Sequence, residues 1–533
     1  MDAPLPTLKK SHWRWWVGGL DTVLGLAHVA LAWKARRLPV THGSVFKLKH
    51  EIIRYGAAAT AVVFAVLFLV SLMPWVFDRL EGQSFRSFVA VRHVRAGKSG
   101  FLTVISVLSI LGVAVSSCAL CGVTSVMGGF GQDLKRKILG NNAHITIDSS
   151  AMGGFADYEG ALDQIRLVPG VAAATPVVRG EGMASSSSNT AGALVRGIDT
   201  GSIGNVIDLI KNIEVGEFKY LENPELLTRL PSDEIIGLGP GGEPYVKGPD
   251  LNMDPSLDPA VRDVLRGPPV YPGLVVGREF AKTLHAYVGD EITLVSPLGD
   301  LGPMGLLPRS RKFRIAAIFY SGMYEYDATH VYMKLDAAQN LFSMGEGISA
   351  IEVKAIDAER TNEIVAPVEA AVGRPDLRVR DWRELNKNLF SALKLEKIAT
   401  FIILSIAILV ASFCIICTLL LMVTEKGKEI AILKAVGATD TAILKVFMTE
   451  GIIIGAIGTT LGVVTGLVFC LSLSVYGVRL DPEVYYIDRL PVAVNPSDYV
   501  AVTIAAILIC TLSTLYPARA ASQLRPVDGL RWE

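Results

Sequence analysis

The stretch EKGKEIAILKAVGATD, residues 425–440, is charged and helix-prone, yet it sits between two long apolar runs, Ile398–Thr424 and roughly Phe447–Tyr476. A spanning helix needs about 20 mostly apolar residues, because lipid offers no partner for backbone N–H and C=O groups. Both flanks meet that length, so the charged island marks a turn between two membrane crossings. Working outward, Phe101–Met127, Tyr499–Tyr516 and an N-terminal run, Ala57–Phe77, pass the same test. Trp15–Trp33 carries Asp21 and His28 and reads as an interfacial or tail helix.

Composition agrees with an integral membrane protein, at 51% hydrophobic and 19% charged residues with a positive mean hydropathy. The 51 basic residues balance 51 acidic ones, so no charge bias favours nucleic acid, and none is expected as a partner. Membrane lipid is the expected surroundings.

Lys and Arg near span ends set orientation. Arg86, Arg92, Arg95 and Lys98 precede the Phe101 span; Lys426, Lys428 and Lys434 lie in the island; Arg519, Arg525 and Arg531 follow the last span. All three places read as cytoplasmic. The segment VRLDPEVYYIDRLPVAVNPSD, residues 478–498, is net acidic and reads as external, as does the stretch 130–397. The expected architecture is an α-helical membrane protein. It has a four-helix core, an extra N-terminal span at 57–80, and a large α+β extracytoplasmic domain between core spans 1 and 2. The extra crossing places residues 1–56 outside despite Lys34, Arg36, Arg37, Lys47, Lys49 and Arg54. A poor signal peptide ending near ALA at 30–32 is a weaker reading of that segment.

The external domain is large enough for its own core. Strand-like stretches begin at His144, Ala172, Ala193, Asp290, Lys312, His330 and Ala350, separated by helical stretches such as YEGALDQIRLV and EIVAPVEAAV. Residues 222–272, rich in Pro, Gly and Asp, read as a mobile insertion.

Most candidate chemistry fails on spacing. The GKS at Gly97–Ser99 has Arg92 where a phosphate-binding loop needs its first glycine. Two Cys-x-x-Cys pairs, Cys118/Cys121 and Cys414/Cys417, both fall inside predicted spans, where small residues serve helix packing; no metal site is expected. Ser44 and Ser391 head chance Ser-x-x-Lys matches, SSSS at 185–188 reads as a hairpin tip, and His144, His285 and His330 lack metal spacing. No catalytic constellation is visible, and the chain is read as a non-catalytic subunit. Gly451, Gly455, Gly458, Gly462 and Gly466 share one face of the third core span, as a close-packing or sliding surface requires. Glu450, at the cytoplasmic end of that span, either serves a function or snorkels to the interface.

Three segments together carry a family resemblance. They are FRSFVAVRHVRAGKSGFLTVISVLSILGVAVSSCALCGVTSVMGGFGQDLKRKILGNNAHI from residue 85, VTEKGKEIAILKAVGATDTAILKVFMTEGIIIGAIGTTLG from 423, and the closing LYPARAASQLRPVDGLRWE. Over roughly residues 84–533 the chain resembles the LolC/LolE-type lipoprotein-releasing permeases of the MacB/FtsX-like ABC transporter superfamily. The resemblance implies residence in the bacterial inner membrane with a periplasmic domain, and an amphipathic lead-in helix at 84–100. The spans are expected at 101–129, 398–424, 447–477 and 499–518, with a cytoplasmic tail at 519–533. A LolD-like ATPase dimer would bind ATP and Mg, no cofactor being expected on this chain, and a second permease copy or paralogue would complete the pore.

By the same resemblance residues 425–446 form a cytoplasmic coupling helix, with Glu425, Lys428, Glu429, Ile430, Leu433, Lys434, Val436 and Gly437 meeting the ATPase. Physically, the acidic residues suit its first half and Gly437 can end it; a plain linker is the competing reading. The stretch SPLGDLGPMGLLPRSRKFRI, from 296, resembles a hook loop (296–311) that engages a LolA-like periplasmic chaperone through Pro297, Pro303, Met304, Gly305, Leu306, Pro308 and Arg311. A Pro-rich hairpin is the alternative. Val107, Ile110, Val113, Phe401, Leu404 and Ile408 are expected, by helical phase, to line a cavity that accepts lipoprotein acyl chains. The competing functions are an FtsX-like mechanotransmitter controlling a cell-wall hydrolase and a MacB-like exporter subunit. The first is opposed by the size of the external domain, the second by the absence of an ATPase motif.

Overall fold

The computed structural model describes residues 13–37, 48–82, 85–95, 100–149, 154–239, 243–248, 269–302, 305–477, 480, 486–487 and 489–525. Its membrane part runs α1 (Trp13–Arg37), α2 (Leu48–Glu81), α3 (Phe85–Arg95), α4 (Gly100–Asn141), α5 (Lys387–Glu425), α6 (Gly427–Ala435), α7 (Asp440–Tyr476) and α8 (Pro496–Ser522). Among the described residues α2, α4, α5, α7 and α8 are long and apolar enough to cross a bilayer.

Two of these helices outrun the membrane. The 42 residues of α4 make a rod of about 63 Å at 1.5 Å per residue, twice the roughly 30 Å of a hydrocarbon core. α5, with 39 residues, is nearly as long. The external domain therefore begins after Asn141 and ends before Lys387 rather than at 130 and 397. Hydropathy reports where a helix sits in lipid, and the charged turn Asp133–Lys137 leaves the bilayer without ceasing to be helical. In the same way α2 starts at Leu48 rather than 57, and α7 at Asp440 rather than 447.

Around the bundle the order is α4, α7, α8, α5, with little contact across the diagonals. The glycine stripe of α7 explains how closely it fits. A Cβ on Gly455 would lie 2.6 Å from Cys510 Cβ on α8, and one on Gly466 2.9 Å from Cys121 Cβ on α4. Small residues let the backbones approach, and dispersion replaces the hydrophobic effect that lipid cannot supply. Hydroxyl pairs cross-link the other two seams, Ser109 with Thr418 at 2.8 Å and Ser412 with Ser513 at 2.8 Å, and Ser125 with Tyr499 at 3.0 Å ties α4 to α8 across the diagonal. At the outer end Lys397 Nζ on α5 lies 3.0 Å from Asp498 Oδ1 on α8. Glu450 is fully buried in α7, so it does not snorkel.

The N-terminal helices pack on this bundle. Ala90 and Val91 of α3, with Met73, Phe77 and Leu80 of α2, cover Ile453 and Ile457 of α7. α1 folds back along α2, where His28 Nδ1 lies 3.2 Å from the Ala57 carbonyl.

The external domain is built on a ten-stranded mixed sheet. Its strands are β1 (Ile145–Ser149), β2 (Val171–Ser185), β3 (Thr190–Ile198), β4 (Ile213–Gly216), β7 (Gly273–Gly277), β8 (Glu291–Gly302), β9 (Gly305–Phe319), β10 (His330–Lys334), β11 (Ala350–Ala355) and β12 (Leu377–Asp381). A separate hairpin joins β5 (Ile235–Leu238) to β6 (Pro244–Val246). The order is β12-β1-β11-β2-β3-β10-β7-β9-β4, with β8 bridging β2 and β9. Helices Glu159–Arg166 and Thr361–Val372 bury Leu162, Ile165, Ile364 and Val368 against it. The SSSS run forms the turn between β2 and β3, where Ser186 Oγ donates to the Leu284 carbonyl at 2.8 Å.

Part of the predicted insertion is ordered. Leu227 and Leu230 are buried in the domain core, and Tyr245 makes an edge contact with Tyr287 at 5.7 Å. Residues 240–242 and 249–268 of it lie outside the described residues.

The tops of α4 and α5 are clamped to the domain. Asp208 N–H donates to the Gly140 carbonyl at 2.9 Å, and Asn141 Nδ2 donates to the Ser321 carbonyl at 3.2 Å. Lys135 of α4 and Arg383, just before α5, both pair with Glu359, while Trp382 Nε1 donates to the Ala358 carbonyl at 2.8 Å. The loop between α7 and α8 reaches the same junction. Lys137 Nζ donates to the Tyr486 carbonyl at 2.8 Å, and the Tyr486 ring packs on Tyr324 at 5.4 Å.

Candidate functional sites

At the cytoplasmic end the chain reverses with great economy. α5 ends at Glu425, Lys426 alone separates it from α6, and Lys426 Nζ pairs with Glu429 Oε1 at 2.6 Å. α6 ends where Gly437 takes φ +113°, a left-handed conformation that favours glycine. Thr439 then caps α7, its Oγ1 accepting the Ala442 N–H at 3.3 Å. The predicted single helix 425–446 is thus three pieces, with breaks at Lys426 and at the turn through Gly437.

α6 has two apolar faces rather than one. Ile430 and Ala431 are buried, Ile430 against Ile443, Phe447, Ala518 and Ala521. Ile432, Leu433 and Val436 face out, Val436 with 84% of its surface exposed. Glu425, Lys428 and Glu429 join them on the open side. Two of the residues assigned to the ATPase surface are therefore corrected. Ile430 is core, and Lys434 reaches inward: its Nζ donates to the Ser522 and Leu524 carbonyls at 2.6 and 2.9 Å and pairs with Asp440. A cation on the final carbonyl of α8 and on that of Leu524 just beyond it offsets the negative end of the helix dipole. Lys434→Ala is expected to lower stability by about 1.5–3 kcal/mol, the scale of charge-assisted hydrogen bonds, as measured by thermal unfolding in detergent. Ile432 was not anticipated, because two apolar stripes on a nine-residue helix look alike in sequence. Beside α6 a recess of about 100 Å³ opens between Val89 of α3, Leu433 and Ala442.

The acyl-cavity residues also need correction. Val107 faces out, but Ile110 is half-buried against α7, and Val113 is wholly buried in the bundle, beside Gly458. Ile408 is buried with Leu120, Val502 and Ala506, and Phe401 and Leu404 pack on the same cluster. The open faces carry other residues: Val104, Leu108, Leu111 and Val115 on α4, and Ile398, Ile402, Ile406, Leu409 and Phe413 on α5. Both sets recur at three- and four-residue steps, one stripe per helix.

The hook stretch is a β-hairpin. β8 and β9 pair from Glu291↔Arg314 out to Gly302↔Gly305, with a register shift between Ser296 and Asp300 that accommodates Pro297. Pro303 and Met304, at its tip, lie outside the described residues, as do the side chains of Gly305 and Leu306. Pro297, Pro308 and Arg311 are exposed.

The cysteine pairs do not converge. Cys118 and Cys121 face Gly466, whereas Cys414 and Cys417 lie on the outer surface of the bundle. Among the described residues no group of three or more His, Cys, Asp or Glu side chains has the geometry for a metal ion.

Comparison with known proteins matches this geometry. The model of the FtsX-like permease C-terminal family matches residues 401–526, and that of the MacB-like periplasmic core domain matches residues 106–224. The protein is a multi-pass ABC transporter permease of the inner membrane, with a MacB-like α+β domain in the periplasm.

The lipoprotein-releasing system transmembrane protein LolC of Neisseria meningitidis serogroup B is 28% identical over 463 residues, covering 84% of this chain and 100% of that protein. LolC of Xylella fastidiosa strain Temecula1 is 28% identical over 456 residues, 84% of this chain and 98% of that protein. LolE of Haemophilus influenzae is 27% identical over 270 residues, 48% of this chain and 64% of that protein. Over most of its length the chain is thus similar to the LolC/LolE-type permeases.

Proposed function

We propose that the protein is the permease subunit of an ATP-driven complex that extracts lipoproteins from the inner membrane and passes them to a periplasmic LolA-like chaperone. One observation carries the mechanism: α5 is a single helix from Lys387, five residues past the clamping Trp382, to the coupling segment at Glu425. Likeness to LolC over 84% of the chain supports the cargo. A LolD-like ATPase dimer, holding ATP and Mg, would seat against Leu433 and Val436. A second permease, copy or paralogue, would face the open stripes of α4 and α5. Closure of the ATPase would press the coupling segments together, and α4 and α5 would transmit that motion to the sheet as rods, narrowing the space between permeases and expelling the acyl chains.

The test is reconstitution with the ATPase in proteoliposomes carrying a triacylated lipoprotein. ATP-dependent transfer of the lipoprotein to soluble LolA-like chaperone is expected. ATP hydrolysis without any transfer would sink the reading in favour of a mechanotransmitter. A separate variant addresses the hairpin. Met304→Asp combined with Leu306→Asp is expected to abolish crosslinking between the hairpin and the chaperone while the ATPase still copurifies; undiminished crosslinking would remove the hairpin from the chaperone site.

A further inference from the structure

The two helices that precede the bundle, α1 and α2, form an antiparallel hairpin. A Cβ on Gly25 of α1 would lie 3.2 Å from the Phe64 ring of α2, and His28 Nδ1 is 3.3 Å from Thr60 Oγ1. α1 therefore lies beside the apolar stretch of α2 that crosses the bilayer, and at the same depth. The bundle fixes which end is which. Met73, Phe77 and Leu80 of α2 rest on Ile453 and Ile457 in the cytoplasmic half of α7. At the opposite end the Arg36 charge reaches Tyr476, the last residue of α7. The last turn of α1 is thus level with the periplasmic end of α7, and its start with the cytoplasmic end.

What α1 shows to its surroundings is inverted relative to a helix in water. Leu20, Val23, Leu26, Val29 and Trp33 face out, Leu26 with 72% of its surface open, at steps of three and four. Asp21, one turn from Gly25 and two from His28, is buried on the seam with α2. A helix bathed in water turns such ionisable groups outward, whereas in lipid they face protein. Thr22, a hydroxyl on the open side, donates to the Gly19 carbonyl at 2.8 Å, so it needs no partner from a solvent. The length fits as well. From Trp13 to Trp33 the helix rises about 30 Å at 1.5 Å per residue, the thickness of a hydrocarbon core. Tryptophan is favoured at both membrane interfaces; α1 opens with Trp13, Trp15 and Trp16 and nears its end at Trp33, over which the Arg37 guanidinium lies at 3.8 Å. Asp21 and His28 depress the hydropathy of this stretch, so composition alone passes it over.

We propose that α1 is a sixth transmembrane span whose outer face meets lipid acyl chains, and that the segment before it lies in the cytoplasm. Lys9, Lys10 and Arg14 then flank the span on its cytoplasmic side, as the distribution of basic residues around membrane helices favours. The turn between α1 and α2 stays outside, and there Arg54 is paired with Glu51 at 3.2 Å, both buried. Set against α7, diagonal to α5, the hairpin leaves the open stripes of α4 and α5 uncovered.

Two introduced cysteines, read with a membrane-impermeant maleimide in intact spheroplasts, test the topology of the full chain. The parent protein, whose six cysteines all lie within spans, gives the background. Ser44→Cys, between α1 and α2, is expected to be labelled, and Ala3→Cys only after the membrane is opened. Equal labelling of both in intact spheroplasts would leave α1 on the periplasmic surface and overturn the proposal, as would a Ser44→Cys that stays protected. The lipid contact has its own test. Leu26→p-benzoylphenylalanine, irradiated in native membranes, is expected to give phospholipid adducts by mass spectrometry. A crosslink to a second copy of the chain or to another protein would overturn the assignment of that face to lipid.

Discussion

Replacement of Gly462 by valine is expected to cost the protein its folded membrane core. A Cβ at this position would fall inside the van der Waals shell of the Ala114 carbonyl oxygen and 2.8 Å from Ser117 Cβ. The obstacle is the backbone of α4, which cannot rotate away as a long side chain would. The helices must therefore separate along their seam, and the neighbouring contacts at Gly458 and Gly466 open with them. Overpacking in a well-packed core costs about 1–3 kcal/mol even when side chains can give, so a backbone clash of this kind should exceed about 3 kcal/mol. The measurement is the monodisperse fraction recovered in detergent and its melting temperature. Gly131→Ala, with nothing within 4 Å of the added carbon, should behave as wild type. A Gly462→Val protein that melts with the wild type would show that α4 and α7 do not meet this closely.

The second large effect is functional rather than structural. Leu433→Asp with Val436→Asp replaces exposed apolar side chains on α6 and leaves Ile430 in the core. ATPase copurification is expected to fall by at least about tenfold, because two apolar anchors at a protein contact carry much of its energy. The melting temperature of the permease alone should stay unchanged. Full copurification with both aspartates in place would move the energy input to another surface. This pair is cleaner than charge reversal at Lys434, which would also strip the carbonyls of Ser522 and Leu524 of their donor.

The five crossings were legible because lipid imposes a length and a composition on any helix that spans it. The glycine stripe was legible for a related reason: only close backbone approach favours so many glycines on one face. Rotational phase was not. In a membrane helix the face toward lipid and the face toward protein are both apolar, so Val107 and Val113 look equivalent in sequence although one is exposed and the other buried. Strands with one wet face, such as the start of β8, where Ile292 and Leu294 are buried between the more open Glu291, Thr293 and Val295, announced themselves by alternation. β7, GLVVG, is buried at all five positions, and a short unbroken apolar run carries no period to detect. The buried Arg179–Glu352–Arg196 cluster was not legible because its residues come from β2, β11 and β3, brought together only by sheet order.

The clamp and the length of α5 have a mechanical consequence. Its 39 residues form a lever of about 58 Å, so a tilt of about 5° about one end moves the other by about 5 Å. With the pivot at the cytoplasmic end, the clamped sheet is the moving end of that lever. A small rotation imposed in the cytoplasm would thereby arrive, without relay through flexible loops, as a displacement the size of a side chain on the far side of the membrane.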